Sequence, residues 1–113
     1  MFNREEHRIR HMLEAIERIN QFMDNKAAVE FYADLMLQSA VIRQLEIIGE
    51  ASAHLSESFK SEYPHIPWRK LKGMRNVLIH EYQKVSELTV WMTVREQLPK
   101  LQVQLSQVLE GLQ

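Results

Sequence analysis

The chain has 113 residues, enough for one domain with a closed core and too few for two. It is 45% apolar and 26% charged, which excludes disorder, and its net charge of −1 argues against a general nucleic-acid binder. With no cysteine, disulfides, thiol nucleophiles and Cys-ligated zinc are excluded.

Three Gly and three Pro are too few for the tight turns of a sheet protein, so long helices with few connections are expected. The start, Met1-Phe2-Asn3-Arg4-Glu5-Glu6, is charged too early for a signal peptide. No apolar run approaches the roughly 18 residues of a membrane span. A soluble, cytoplasmic protein with no membrane partner is the expectation.

The first helix is predicted from about Arg4 to Met23, where Ile9, Met12, Leu13, Ile16, Ile19 and Met23 recur at three- and four-residue steps. Asp24-Asn25-Lys26 breaks the pattern, and Asn25 suits the N-cap of the next helix. That second helix is predicted from about Ala27 to Ser56. Phe31, Leu35, Val41, Ile42, Leu45, Ile48 and Leu55 give it a broad apolar stripe. Gly49 and Ala51-Ser52-Ala53 leave room for another backbone to come close.

Ser56 to Trp68 reads as the one real loop, because Pro64 and Pro67 cannot sit within a continuous helix. Pro67 suits the first turn of a third helix. Trp68, Leu71, Met74, Leu78 and Ile79 form that helix's buried side, and it should fray near Tyr82. Ser86 and Glu87 cap a last helix. Its Leu88, Trp91, Val94, Leu98, Leu101, Leu105, Val108 and Leu112 make a heptad seam from Trp91 onward, with a kink expected at Pro99. The whole reads as a single all-α domain over residues 1–113, an antiparallel bundle of four main helices.

Of five histidines, His7 and His11 have a metal-compatible i, i+4 spacing, but nothing nearby completes a site, and no metal is expected. His54 and His65 show no obvious partners. His80 has company: Gly73-Met74-Arg75-Asn76-Val77-Leu78-Ile79-His80-Glu81-Tyr82 gathers an arginine, an amide, an imidazole and a phenol. Residues 69–84 hold Arg69, Lys70, Lys72, Arg75 and Lys84 against Glu81 alone, a local +4 in a chain otherwise at −5. A patch of that kind can draw in phosphates. Asn76 and His80, four apart, share a helical face, so the amide could orient the ring. Arg75 and His80, five apart, lie about 140° around a helix axis. Either the helix ends near His80, or the two meet across two chains. Histidine for proton transfer and arginine for phosphorane charge suit phosphodiester cleavage, and RNA brings its own nucleophile, the 2′-hydroxyl.

Ile48-Gly49-Glu50-Ala51, Ile66-Pro67-Trp68, the Arg75-x4-His80-x-Tyr82 motif and Leu98-Pro99 occur in the order and spacing of the HepT-like group of HEPN-domain toxins, which the chain resembles over nearly its whole length. The resemblance implies a four- to five-helix bundle that forms a homodimer, with two motifs facing each other in a ribonuclease site that needs no metal or other cofactor. It implies Arg75 and His80 as catalytic residues and Asn76 as a supporting polar residue; the local charge makes Arg69, Lys70, Lys72 and Lys84 the expected RNA-binding patch. The resemblance further implies a type VII toxin–antitoxin system, in which a minimal nucleotidyltransferase antitoxin transfers AMP to Tyr82. Gln83-Lys84-Val85-Ser86 departs from the Phe-Gly-Val-Asp type common in that group. Two alternatives stay open. One is a non-catalytic helical module that partners a nucleotidyltransferase, and the other is a structural dimer built on the Trp91–Leu112 seam.

Overall fold

A computed structural model describes residues 3–113; Met1 and Phe2, at the head of the charged N-terminal stretch, lie outside the described residues. The elements in chain order are α1 (Arg4–Phe22), α2 (Ala28–Ala33), α3 (Leu35–Ala53), α4 (Glu57–Ser61) and α5 (Trp68–His80). A 3-10 turn (Tyr82–Lys84), α6 (Glu87–Met92), a π turn (Thr93–Gln97) and α7 (Leu98–Leu112) complete the chain. No strand occurs among the described residues, so the fold is the expected all-α bundle.

Asn3 starts α1 by accepting from the backbone N–H groups of Glu5 and Glu6. Ile9, Met12, Ala15, Ile16 and Ile19 then fall on one face and are fully buried. The helix does not hand over to its neighbour through an Asn25 cap. Asn25 takes a left-handed φ of 59°, which asparagine tolerates better than most residues. The N-cap of α2 is Ala27, whose N–H donates to the Glu30 carboxylate at 2.9 Å.

The expected helix from Ala27 to Ser56 is two helices. Asp34 leaves helical geometry (φ −116°, ψ 94°), and its carboxylate caps α3 by accepting from Leu37 N–H at 3.0 Å. Buried Gln38 turns back, and its amide nitrogen donates to the carbonyls of Phe31 at 2.9 Å and Tyr32 at 3.1 Å. Those are end-of-helix carbonyls, and Phe31 O also accepts from the Asp34 N–H at 3.2 Å. Because of this corner Leu35 points outward, 75% exposed, although it had been placed in the buried stripe. Phe31, Val41, Leu45, Ile48 and Leu55 are buried as expected, and Ile42 is partly buried.

The proline-rich connection contains a short helix that the sequence reading missed: α4, capped by Ser56 Oγ accepting from Phe59 N–H. Pro67 stands just outside α5 as its N-cap, and Trp68 Nε1 donates to the carbonyls of Tyr63 and Lys60, pinning the corner. On α5, Leu71 and Leu78 are buried and Trp68 and Met74 partly so. Ile79 is 40% exposed, contrary to expectation, because α5 is covered chiefly on the side facing α3.

At Pro99 the helix widens instead of breaking. Leu98 N–H donates to Thr93 O, five residues back, and this π turn gives the proline ring room that a regular α-helix would deny it. The turn also aims Arg95 at the α1–α2 connection. Its guanidinium donates to Lys26 O at 2.6 Å and sits 4.4 Å over the Trp91 ring. Val94, Leu98, Leu101, Leu105 and Val108 are buried in the chain's own core, so the seam is used up within one protomer. Leu88, expected on the same apolar face ahead of that seam, is 57% exposed.

Three antiparallel contacts define the bundle. Ser56 N–H reaches Glu5 Oε2 across α3 and α1, Asn20 reaches Gln102 across α1 and α7, and Arg75 reaches Glu50 across α5 and α3. The spatial order is therefore α5–α3–α1–α7. The fourth side does not close: between α5 and the α6–α7 arm lies an apolar cavity of about 490 Å³. No helix among the described residues is long and apolar enough to cross a membrane.

Candidate active site

Close approach of α5 to α3 places the motif arginine. A Cβ on Gly49 would collide with the Arg75 side chain and stand 3.1 Å from the Leu71 carbonyl. With hydrogen there instead, Arg75 lies flat against α3. Its Nε donates to Glu50 Oε2 at 2.7 Å and its Nη1 to Asn76 Oδ1 at 3.0 Å. The arginine side chain keeps 28% of its surface exposed. The other Glu50 oxygen, Oε1, meets His54 Nε2 at 3.1 Å, so His54 has a partner that sequence reasoning did not find. The hydrogen bond from Arg75 holds the Glu50 carboxyl below its ordinary range, against an opposing desolvation effect, and the Arg75 and His54 charges add to the lowering.

Asn76 does not orient His80 as expected, because its amide oxygen is given to Arg75. His80 is the last residue of α5 and is exposed; no hydrogen bond or ion pair holds its ring among the described residues. α5 ends at His80, as one of the two alternatives had it, yet no hydrogen bond or ion pair joins Arg75 to His80 among the described residues. On a regular helix, positions five apart lie about 140° around the axis. The helix ends with Glu81 N–H on Val77 O, and Tyr82 follows in the 3-10 turn with 66% of its surface exposed. That turn contains no left-handed residue, so the missing family glycine is not needed there.

The four cations of the basic patch are all exposed, but they do not share one face. Lys70 lines the cavity between α5 and the α6–α7 arm, on the side away from Glu50. Lys84 pairs with Glu81 at 3.4 Å. Arg69 and Lys72 make no ion pair among the described residues. His7 and His11 stack with ring centroids 5.9 Å apart, and no cluster of three or more His, Cys, Asp or Glu forms among the described residues. His65 packs edge-on against Tyr63, and its carbonyl accepts from Gln104 Nε2 at 3.3 Å. Glu50 is the site residue the sequence reading left without a role.

Fold and site together define a helical bundle that presents a braced arginine, an unengaged imidazole and an exposed phenol around the end of one basic helix. The family described as Ribonuclease HepT-like matches residues 12–108, and the chain belongs to it. It is 47% identical over 88 residues to a protein named "Probable ribonuclease HepT" from Thermococcus cleftensis, covering 78% of this chain and 80% of that one. It is 38% identical over 90 residues to a "Putative RNase" of Methanocaldococcus jannaschii, covering 80% and 83% respectively. A third relative, a "Gamma-glutamylcyclotransferase and putative RNase" of the same organism, is 38% identical over 104 residues. The aligned region is 92% of this chain but only 47% of that longer protein. No solved structure matches significantly.

Proposed function

We propose that the chain is an endoribonuclease toxin that acts as a homodimer and needs no metal. The observation that supports this reading is that Arg75 is braced by Glu50 and Asn76 while His80, at the end of α5, is exposed with no partner among the described residues; on a regular helix residues five apart lie about 140° around the axis. In the proposed dimer a two-fold contact between α5 ends brings the phosphate-binding group of one protomer to the proton-transfer group of the other. Family membership supports ribonuclease chemistry, and the braced Arg75 supplies the matching electrostatics.

In this mechanism His80 removes the proton of an RNA 2′-hydroxyl. The 2′-oxygen attacks phosphorus, the bond to the 5′-oxygen breaks, and the leaving oxygen takes a proton from an imidazolium or from water. Arg75 stabilises the added charge on the phosphoryl oxygens. The products are a 2′,3′-cyclic phosphate and a free 5′-hydroxyl. Regulation in a type VII toxin–antitoxin pair would work at Tyr82. The exposed phenol on a short turn can enter another active site, and an AMP added there by a minimal nucleotidyltransferase puts negative charge beside the basic helix end.

The test is expression without a partner, together with cleavage of RNA in EDTA. Wild type is expected to arrest growth and to cut RNA with the chelator present. Arg75→Ala and His80→Ala should do neither while staying helical. Equal toxicity of all three would favour the non-catalytic module. With the partner enzyme, ATP and Mg²⁺, mass spectrometry should find AMP on Tyr82, not on Tyr32 or on Tyr63, which packs against Phe59. Tyr82→Phe should escape silencing.

A further inference from the structure

A second cavity, of about 370 Å³, lies between the N-terminal half of α1, the C-terminal half of α3 and the end of α5. It adjoins the motif without containing it. Glu50 forms part of its wall and holds Arg75 at 2.7 Å; Ile79, another wall residue, immediately precedes His80. We propose that this groove is a nucleotide subsite. It takes one nucleotide of single-stranded RNA next to the scissile phosphodiester, and it therefore rests on the ribonuclease reading above.

Three features carry the assignment. First, Arg8 from α1 and Arg43 from α3 line the groove, and neither makes an ion pair or hydrogen bond among the described residues. Two unengaged guanidiniums on different helices converge on one space, where planar forks suit phosphate oxygens. Second, the floor is apolar: Ile47, Ala51 and the 40%-exposed Ile79 give a flat platform for a base. That role accounts for an isoleucine facing out of α5 where the helix pattern calls for burial. Third, Glu46 lines the groove and has no partner among the described residues. A lone carboxylate repels phosphate, but it accepts hydrogen bonds from the exocyclic amine of a base. The subsite thus selects amino-bearing bases over uracil. Its volume is at the low end of the roughly 300–1,000 Å³ of small-ligand sites. That suits an unpaired nucleotide and excludes a duplex, in keeping with recognition of RNA through splayed single strands.

The experiment measures binding of the full chain to a single-stranded 2′-O-methyl oligonucleotide, which offers no nucleophile and cannot be cut. Fluorescence anisotropy follows affinity across a salt series. The double variant Arg8→Ala/Arg43→Ala should bind at least about tenfold more weakly at low salt. Its plot of log affinity against log salt should flatten by about 1.4, at about 0.7 per lost phosphate contact on a single strand. The control Arg10→Ala/Lys100→Ala removes the same charge outside the groove and should change both far less. Wild type should prefer oligo(A) to oligo(U), and Glu46→Ala should erase that preference. If the double variant does not fold, Arg43→Ala alone, at the more exposed position, should flatten the slope by about 0.7. Binding by the groove variants equal to wild type overturns the subsite and leaves the ribonuclease reading standing. Equal losses in groove and control variants reduce the effect to overall charge and also overturn it. Lost binding in the groove variants, with a wild type that cuts no RNA, leaves a nucleotide-binding groove but removes the ribonuclease and with it the place beside a scissile phosphodiester, which overturns the subsite as proposed.

Discussion

Arg75 has five N–H donors, and Glu50 and Asn76 engage one each, leaving three free for phosphate. A guanidinium held on two sides loses little freedom when it binds, which is the condition for useful electrostatic catalysis. Glu50 is therefore a positioning residue. Glu50→Ala should lower RNA cleavage by about ten- to a hundredfold. Glu50→Gln, which keeps an oxygen for Arg75 Nε, should recover a good part of the loss, and equal defects in both would remove the positioning role. The pH behaviour follows from the same pair. Because the folded Glu50 carboxyl titrates below its ordinary value, its contribution to stability is complete above that value and is lost as pH falls through the lowered one. Melting temperatures of wild type and Glu50→Gln should differ by a constant amount at neutral pH and converge only in acid. Arg75, Asn76, His80 and Tyr82 stand out in the sequence as candidates because they share one short stretch. Glu50 does not, since 25 residues separate it from Arg75. The one local trace was Gly49, a small residue whose reason for being small is the arginine across from it.

At the level of elements, periodicity carried the long helices and failed at the corner between α2 and α3. The apolar spacing runs on through Asp34, and a single capping aspartate is a weak signal against a continuous stripe. The decisive contact is long-range in the local sense: Gln38 returns to carbonyls six and seven residues earlier. Gln38→Ala removes both bonds, leaving Phe31 O with Asp34 N–H alone and the part-buried Tyr32 O without the amide, so it should destabilise the fold by about 1–3 kcal/mol. Denaturant titration of the variant checks this, and an unchanged midpoint would mean that water replaces the amide. The π turn was equally hidden. Pro99 announces a disturbance in the helix, but whether the chain kinks or widens depends on what the preceding residues reach. Here Arg95 reaches the α1–α2 connection at Lys26, 69 residues earlier, and no pattern local to the helix encodes that.

For the whole molecule, the shared-site reading makes mass the first measurement. Light scattering at micromolar concentration should give twice 13.4 kDa, and a clean monomer would dismiss a site built from two chains. The heptad seam does not supply that contact, because its residues are spent on the chain's own core. The side left open between α5 and α7 has a different consequence. α1 is flanked by α3 and α7, while α5 leans chiefly on α3. α5 also buries only Leu71 and Leu78, fewer side chains than α1, α3 or α7, so the helix that carries the candidate chemistry has the least to lose by detaching. Amide hydrogen exchange should reveal this as two protection classes, with α1 and α3 opening only on global unfolding and α5 releasing earlier as a unit. A helix of that kind is held in place by whatever binds it, so RNA or a second chain should slow its exchange while leaving the α1–α3 pair unchanged.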